Sequence, residues 1–142
     1  MNTQTSNAND SPETPRLSVV VPAYNEEENV IPLAQEIIAA LSSLPGGFEL
    51  ILVDDASTDS TTRIIREFPP ANVRAVFHRI NCGQSAAVGS GFHAARGEWV
   101  ATLDGDGQND PADLPAMLEQ AIKEGVDCVT GVRAKRLDNF LR

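Results

Sequence analysis

Basic side chains are scarce in this 142-residue chain: Lys and Arg together number 11 against 20 Asp and Glu, for a net charge of −9. A general nucleic-acid binder needs a cationic face to neutralise phosphates, so that class is excluded. One anionic ligand held by a local cation and a few arginines is still allowed. Cysteine is limited to Cys82 and Cys128 without C-x-x-C spacing. Both read as reduced core or near-core residues of a cytoplasmic protein, and the spacing leaves a disulfide between them open. No segment approaches the roughly 18 consecutive apolar residues of a spanning helix, so the chain is expected to be soluble or at most peripheral to a membrane. There is no P-loop, nucleophile elbow or internal repeat. Residues 1–16 are rich in Asn, Thr, Ser and Pro and lack an apolar run. They read as a disordered leader rather than a signal peptide.

What is present, over residues 17–142, reads as one domain, and the chain as a whole has an ordinary globular composition, 42% hydrophobic and 22% charged. Short apolar runs at Leu17 to Val21, Phe48 to Val53, Val73 to Phe77, Trp99 to Leu103 and Asp127 to Thr130 alternate with helical patterns. That alternation predicts an α/β fold with a mostly parallel sheet, and the continuous Val, Leu and Ile of most runs suits strands covered on both faces. Val30, Leu33, Ala34, Ile37, Ile38 and Leu41 form one helical stripe, beginning near Asn29 because Pro32 disfavours an earlier start. A second helix is expected over Thr58 to Phe68 with Ser57 as N-cap. A third spans Gln84 to Ala95 with Val88, Phe92 and Ala95 facing inward. A fourth opens at Asp110-Pro111 and closes near Gly125.

The chemistry gathers where strands end. Asp104-Gly105-Asp106-Gly107-Gln108 follows the fourth run, expected to be a buried strand, and delivers two carboxylates and an amide to the edge where open parallel sheets bind ligands. Alternate positions of an extended segment share a side, so Asp104 and Asp106 can converge on one hard divalent cation. Pro22-Ala23-Tyr24-Asn25-Glu26 ends the first run and Asp54-Asp55-Ala56-Ser57 the second. Taken singly, each has a plain structural reading. Glu27 and Glu28 are helix-start acids, Asp54-Asp55 is a turn and cap pair, and Asp104-x-Asp106 is a weak pattern. An EF-hand beginning at Asp104 fails, because Asn109 and Pro115 stand where Gly and Glu are required. His78, His93 and the helical Gly89-Ser90-Gly91 read as structural or surface residues. Three polar loops on one edge are nevertheless hard to explain by folding alone.

Val20 to Glu27 (VVPAYNEE), Leu52 to Asp59 (LVDDASTD) and Leu103 to Pro111 (LDGDGQNDP) together resemble the family 2 glycosyltransferases, most closely the dolichol-phosphate and polyprenyl-phosphate mannosyltransferase-like branch. The resemblance implies a Rossmann-like A-type glycosyltransferase fold, with acceptor-side segments beyond Arg142. It implies that Pro22, Tyr24, Glu26, Asp54 and Asp55 hold the base and ribose of a GDP- or UDP-sugar. Asp104, Asp106 and Gln108 would hold Mg2+ or Mn2+ and the diphosphate, and Arg133, with Arg136 beside it, would contact that diphosphate. The implied reaction is metal-dependent, inverting transfer from a nucleotide-diphosphosugar to a lipid phosphate in cell-envelope glycan or glycolipid synthesis. The setting would be the cytoplasm or the cytoplasmic membrane face. A saccharide hydroxyl acceptor and a donor-binding fragment without turnover are the alternatives. An early D-x-D for a phosphatase and a Gly- and Arg-rich first loop for a nucleotidyltransferase are both missing.

Overall fold

A computed structural model describes residues 14–68 and 70–131, so Arg133, Arg136 and most of the expected leader lie outside the described residues. Strands β1 (Leu17–Ala23), β2 (Phe48–Asp54), β3 (Val73–Phe77) and β4 (Trp99–Thr102) alternate with helices α1 (Val30–Leu41), α2 (Thr61–Arg66), α3 (Gln84–Ala94) and α4 (Leu114–Glu124). The sheet order is β3-β2-β1-β4, and every pairing is parallel. The predicted α/β class therefore holds.

Period-two alternation divides the core. Val19, Val21, Leu50 and Leu52 face the α1 stripe and Leu114 and Leu118 of α4, whereas Val20, Ile51 and Val53 face Ala87 of α3. α1 begins at Val30 after Asn29, as its pattern predicts, and Asp110 accepts the Ala112 N–H to open a single 3-10 turn ahead of α4. α3 approaches the sheet through small residues. A Cβ on Gly91 would fall 2.2 Å from Val20 Cγ1, so the buried face is Ala87 and Gly91. Phe92, expected to face inward, is 51% exposed.

Other expectations also need correcting. Asp127 to Thr130 forms no strand: its backbone joins no ladder, and so short a run has little reason to stay extended without one. β4 is an edge strand rather than a buried one among the described residues; it pairs with β1 alone, and Val100 is 40% exposed. α2 starts at Thr61 rather than Thr58; residues 58–60 instead bend around the Asn25 side chain, which accepts the Thr58 and Asp59 N–H groups. Ser57 does not cap α2; its hydroxyl accepts the Asn25 N–H. Cys82 and Cys128 are free thiols but exposed, not core.

At the N-terminal end of the sheet, buried Glu49 accepts from Ser18 Oγ (2.7 Å), the Arg96 N–H (2.7 Å) and Arg74 Nε (3.0 Å). Burial opposes its charge, but the Ser18 and Arg96 hydrogen bonds and the Arg74 guanidinium together hold the carboxyl below its usual value. This end is closed and self-satisfied. The opposite end is where the chain reverses its direction of growth: β1 to β3 build one way, and β4 then returns to the other side of β1. A crevice outside the carboxyl ends of β1 and β4 follows from that topology.

Candidate functional site

The crevice is built as the topology requires. Beyond β1 come Tyr24 and Glu26, and beyond β4 come Asp104 to Asp106, which close in on β1 so tightly that a Cβ on Gly105 would lie 2.6 Å from the Pro22 carbonyl oxygen. Only glycine lets the acidic turn approach this closely. The resulting cavity of about 370 Å³ contains Pro22, Tyr24, Glu26, Asp55, Asp104 and Asp106. Four of its lining residues are carboxylates, and no Lys or Arg is among the described residues that line it. Tyr24 lines this cavity and is 45% exposed.

Local hydrogen bonds set the loops. Asn25 takes a left-handed backbone (φ 54°), which asparagine tolerates, and its side-chain oxygen gathers Thr58 N at 2.8 Å and Asp59 N at 3.3 Å. Glu26 N donates to Thr61 Oγ1, and Glu27 Oε2 accepts from Ser60 N. The loops after β1 and β2 thus form one unit, with Glu27 inside it rather than at a helix start. Glu26 Oε2 accepts from Asn29 Nδ2 at 2.8 Å, which aims that carboxylate along the crevice wall.

The two acids after β2 are committed internally. Asp54 is 1% exposed, accepts from Thr62 Oγ1 and Ser57 N, and is not part of the crevice lining. Asp55, 3% exposed, accepts Cys82 N and Gly83 N at 2.8 Å each and pairs with His78 Nδ1 at 2.7 Å. Burial works against its charge, but the Cys82 N–H, His78 and the Gly83 N–H outweigh that, and its carboxyl lies below the usual range. Asp104 and Asp106 differ. Asp104 Oδ1 accepts from Gln84 Nε2 (2.8 Å) and Asp106 Oδ1 from Gln108 N (3.0 Å). Among the described residues the second oxygen of each meets no protein donor.

Gln108 contributes its backbone N–H to this turn and also lines a second cavity of about 980 Å³ beside β4, walled by Trp99, Met117 and Leu118. That larger groove is mainly apolar sheet edge and helix flank, whereas the smaller one gathers Glu26, Asp55, Asp104 and Asp106. Two residues near the crevice go beyond their sequence readings, Gln84 as part of the Asn81 to Gln84 turn with a minor role near the nucleotide and His78 as structural or surface. Gln84 opens α3 and steers Asp104; His78 buttresses Asp55. A signal for His78 did exist: the parallel register pairs Asp54 with Phe77, so the residues next in each strand, Asp55 and His78, end side by side.

A parallel sheet of this order, with an acidic turn set against the end of β1, defines the A-type glycosyltransferase fold. Solved structures agree on that fold. A mannosyltransferase of Pyrobaculum calidifontis in complex with GDP-Man and Mn2+ matches with a TM-score of 0.66 and 27% identity, over 75% of this chain and 32% of that one. Staphylococcus aureus TarS (residues 1–349) in complex with UDP-GlcNAc matches with a TM-score of 0.64 and 27% identity, over 77% and 31%. The chain belongs to glycosyl transferase family 2, whose model matches residues 18–142. It is 44% identical over 138 residues to the dodecaprenyl-phosphate galacturonate synthase of Rhizobium johnstonii, covering 94% of this chain and 41% of that protein. It is 40% identical over 129 residues to the undecaprenyl-phosphate 4-deoxy-4-formamido-L-arabinose transferase of Edwardsiella ictaluri, covering 89% and 39%. The chain thus spans about two-fifths of the length of these curated relatives.

Proposed function

We propose that the protein moves a sugar from a nucleotide-diphosphosugar to a polyprenyl phosphate, with inversion, using Mg2+ or Mn2+ held by Asp104 and Asp106. One observation carries the reading: a crevice at the switch point is lined by four carboxylates and, among the described residues, no basic side chain. A diphosphate would be repelled there unless a divalent cation came between, and among the described residues Asp104 and Asp106 each have one oxygen that meets no protein donor. The donor set is all oxygen, which fits a hard cation. When bound, such an ion supplies charge stabilisation to the departing nucleoside diphosphate.

The chain's own residues do the positioning. Gln84 fixes the rotamer of Asp104, the Gln108 N–H fixes Asp106, and Gly105 holds both against β1. Tyr24 offers a stacking face and Glu26 a polar edge for the nucleoside, with Pro22 beneath them. Asp55 serves the nucleoside pocket as part of its lining and Asp54 by holding the loop at Ser57 and Thr62, and Arg133 is assigned to the diphosphate on the resemblance alone. A lipid-phosphate acceptor is already ionised near neutral pH, so direct attack on the anomeric carbon needs alignment rather than a strong base. The names of the relatives support that acceptor. We place the reaction at the cytoplasmic membrane face because the acceptors named for the relatives are polyprenyl phosphates; among the described residues no helix is long and apolar enough to cross a membrane.

The test combines thermal unfolding with a panel of UDP- and GDP-sugars, with and without Mn2+, and a sugar-transfer assay to undecaprenyl phosphate. The correct donor stabilises by about 2.7 kcal/mol at a hundredfold excess over its Kd, and only with metal present. Absence of metal-dependent stabilisation by every donor sinks the reading. Donor stabilisation with transfer only to a saccharide hydroxyl replaces the lipid acceptor with a sugar.

A further inference from the structure

A second donor set, of different chemistry from the acids after β4, gathers behind the crevice wall. A carboxylate oxygen of Asp55, a ring nitrogen of His78 and Sγ of Cys82 lie within 4.8 Å of one another. The carboxylate is buried, the imidazole half-buried and the thiol exposed, so the cluster opens to solvent through Cys82. Its members are already oriented. Asp55 is pinned by Cys82 N and Gly83 N, and His78 Nε2 lies 2.8 Å from Ser90 Oγ.

We propose that Asp55, His78 and Cys82 form a binding site for a thiophilic divalent cation of the Zn2+ class, separate from the hard-cation site at Asp104 and Asp106. Mixed oxygen, nitrogen and sulfur ligands select a borderline-soft ion over Mg2+ or Mn2+. Ser90 supplies the outer contact that metal-bound imidazoles require, fixing ring orientation and tautomer. The ion enters between His78 Nδ1 and Asp55 Oδ1, now 2.7 Å apart, and these atoms separate slightly to admit it.

The protons balance. Neutral His78 moves its hydrogen from Nδ1 to Nε2, where it is donated to Ser90 Oγ. Cys82 gives up its thiol hydrogen and the weak contact from Sγ to the Ile80 carbonyl (3.3 Å). One proton leaves per ion bound, and a water takes the fourth position, the arrangement of an open three-ligand zinc site. Because Asn81 and Gly83 line the crevice, the bound ion clamps the turn that forms its wall.

The same residues align as Asp55–His78–Ser90, with the spacing of a hydrolase triad. Ser90 lies inside α3, however, where the backbone N–H groups are consumed by the helix and none is left to stabilise an oxyanion.

Co2+ is the probe, read on the Cys128→Ser protein so that only one thiol remains. A near-ultraviolet thiolate-to-cobalt band should appear at one equivalent, be abolished by equimolar Zn2+, and vanish in Cys82→Ser. Zn2+ affinity by calorimetry should fall in Cys82→Ser by at least the roughly 10- to 100-fold that loss of an outer-shell partner alone costs. Cys82 is exposed, so unfolding curves should show that this variant remains folded. Asp106→Asn should leave band and affinity intact, which keeps this test independent of the donor site. A band that survives Cys82→Ser, or no band at all in the Cys128→Ser protein, overturns the proposal.

Discussion

Two strand ends carry paired acids, and the structure treats them in opposite ways. After β2, Asp54 and Asp55 are 1% and 3% exposed, and their oxygens are taken by Ser57 N, Thr62 Oγ1, Cys82 N, Gly83 N and His78. After β4, Asp104 and Asp106 line the crevice and, among the described residues, each accepts one protein hydrogen bond. β2 lies inside the sheet and β4 at its edge, so one pair is folded into its neighbours while the other is presented. A pair of carboxylates at a strand tip does not define a role. The number of donors already spent on them does.

The sharpest way to break this comparison is to truncate one acid from each end. Asp106→Ala should leave the unfolding midpoint unchanged and lower metal-dependent transfer by about 10²- to 10³-fold, the scale of losing a charge-stabilising contact. Asp55→Ala strips a buried acceptor from two N–H groups and an imidazole. It should cost about 3 kcal/mol of stability in urea unfolding, with donor binding falling only because the 81–83 turn loosens. If Asp55→Ala folds as stably as wild type, the two strand ends are alike after all.

Acid sharpens the comparison. Glu49 and Asp55 have carboxyls held below their ordinary values of 4.5 and 3.8. A carboxyl lowered by folding adds stability that is fully present above its unfolded value and is lost as pH falls through the lower, folded value. Urea midpoints should therefore be flat near neutrality and drop progressively below about pH 4.5. Glu49→Gln should flatten part of that slope while destabilising at pH 7, because it removes a charge that answers Arg74. A slope unchanged in Glu49→Gln would show that the N-terminal network does not carry the acid sensitivity.

The sheet was legible because hydrophobic runs and helix stripes are written in local periodicity; Val73 to Phe77 and the start of α1 at Val30 agree with that reading. The limits of α2 and the inward face of α3 were not, since both depend on partners remote in sequence: Asn25 for Thr58, and Val20 for Gly91. The crevice residues Tyr24, Glu26, Asp104 and Asp106 were visible because strand ends on one edge must converge. His78 was passed over because the strand-end argument was not extended to β3, although the register sets it beside Asp55. Burial of the Asp54 and Asp55 oxygens is a tertiary fact with no local signature.

The smallest predicted effect tests how firmly the end of β2 is held. Ala56 adopts a left-handed backbone, φ 59°, directly after Asp55, whereas in the turn after β4 the positive φ falls on Gly107. An L side chain in that region costs about 1 kcal/mol, so some force must keep Ala56 there. The hydrogen bonds on either side supply it: Asp54 Oδ1 holds Ser57 N, and Asp55 is locked to the 82–83 turn. Ala56→Gly should relieve the strain but add freedom to the unfolded chain, for a net gain of about 0.5 kcal/mol. The variant should bind donor with unchanged affinity, because Ala56 does not line the crevice. A loss of stability would mean that the Ala56 methyl packs favourably enough to outweigh its backbone, and that the anchored strand end is less strained than its φ implies.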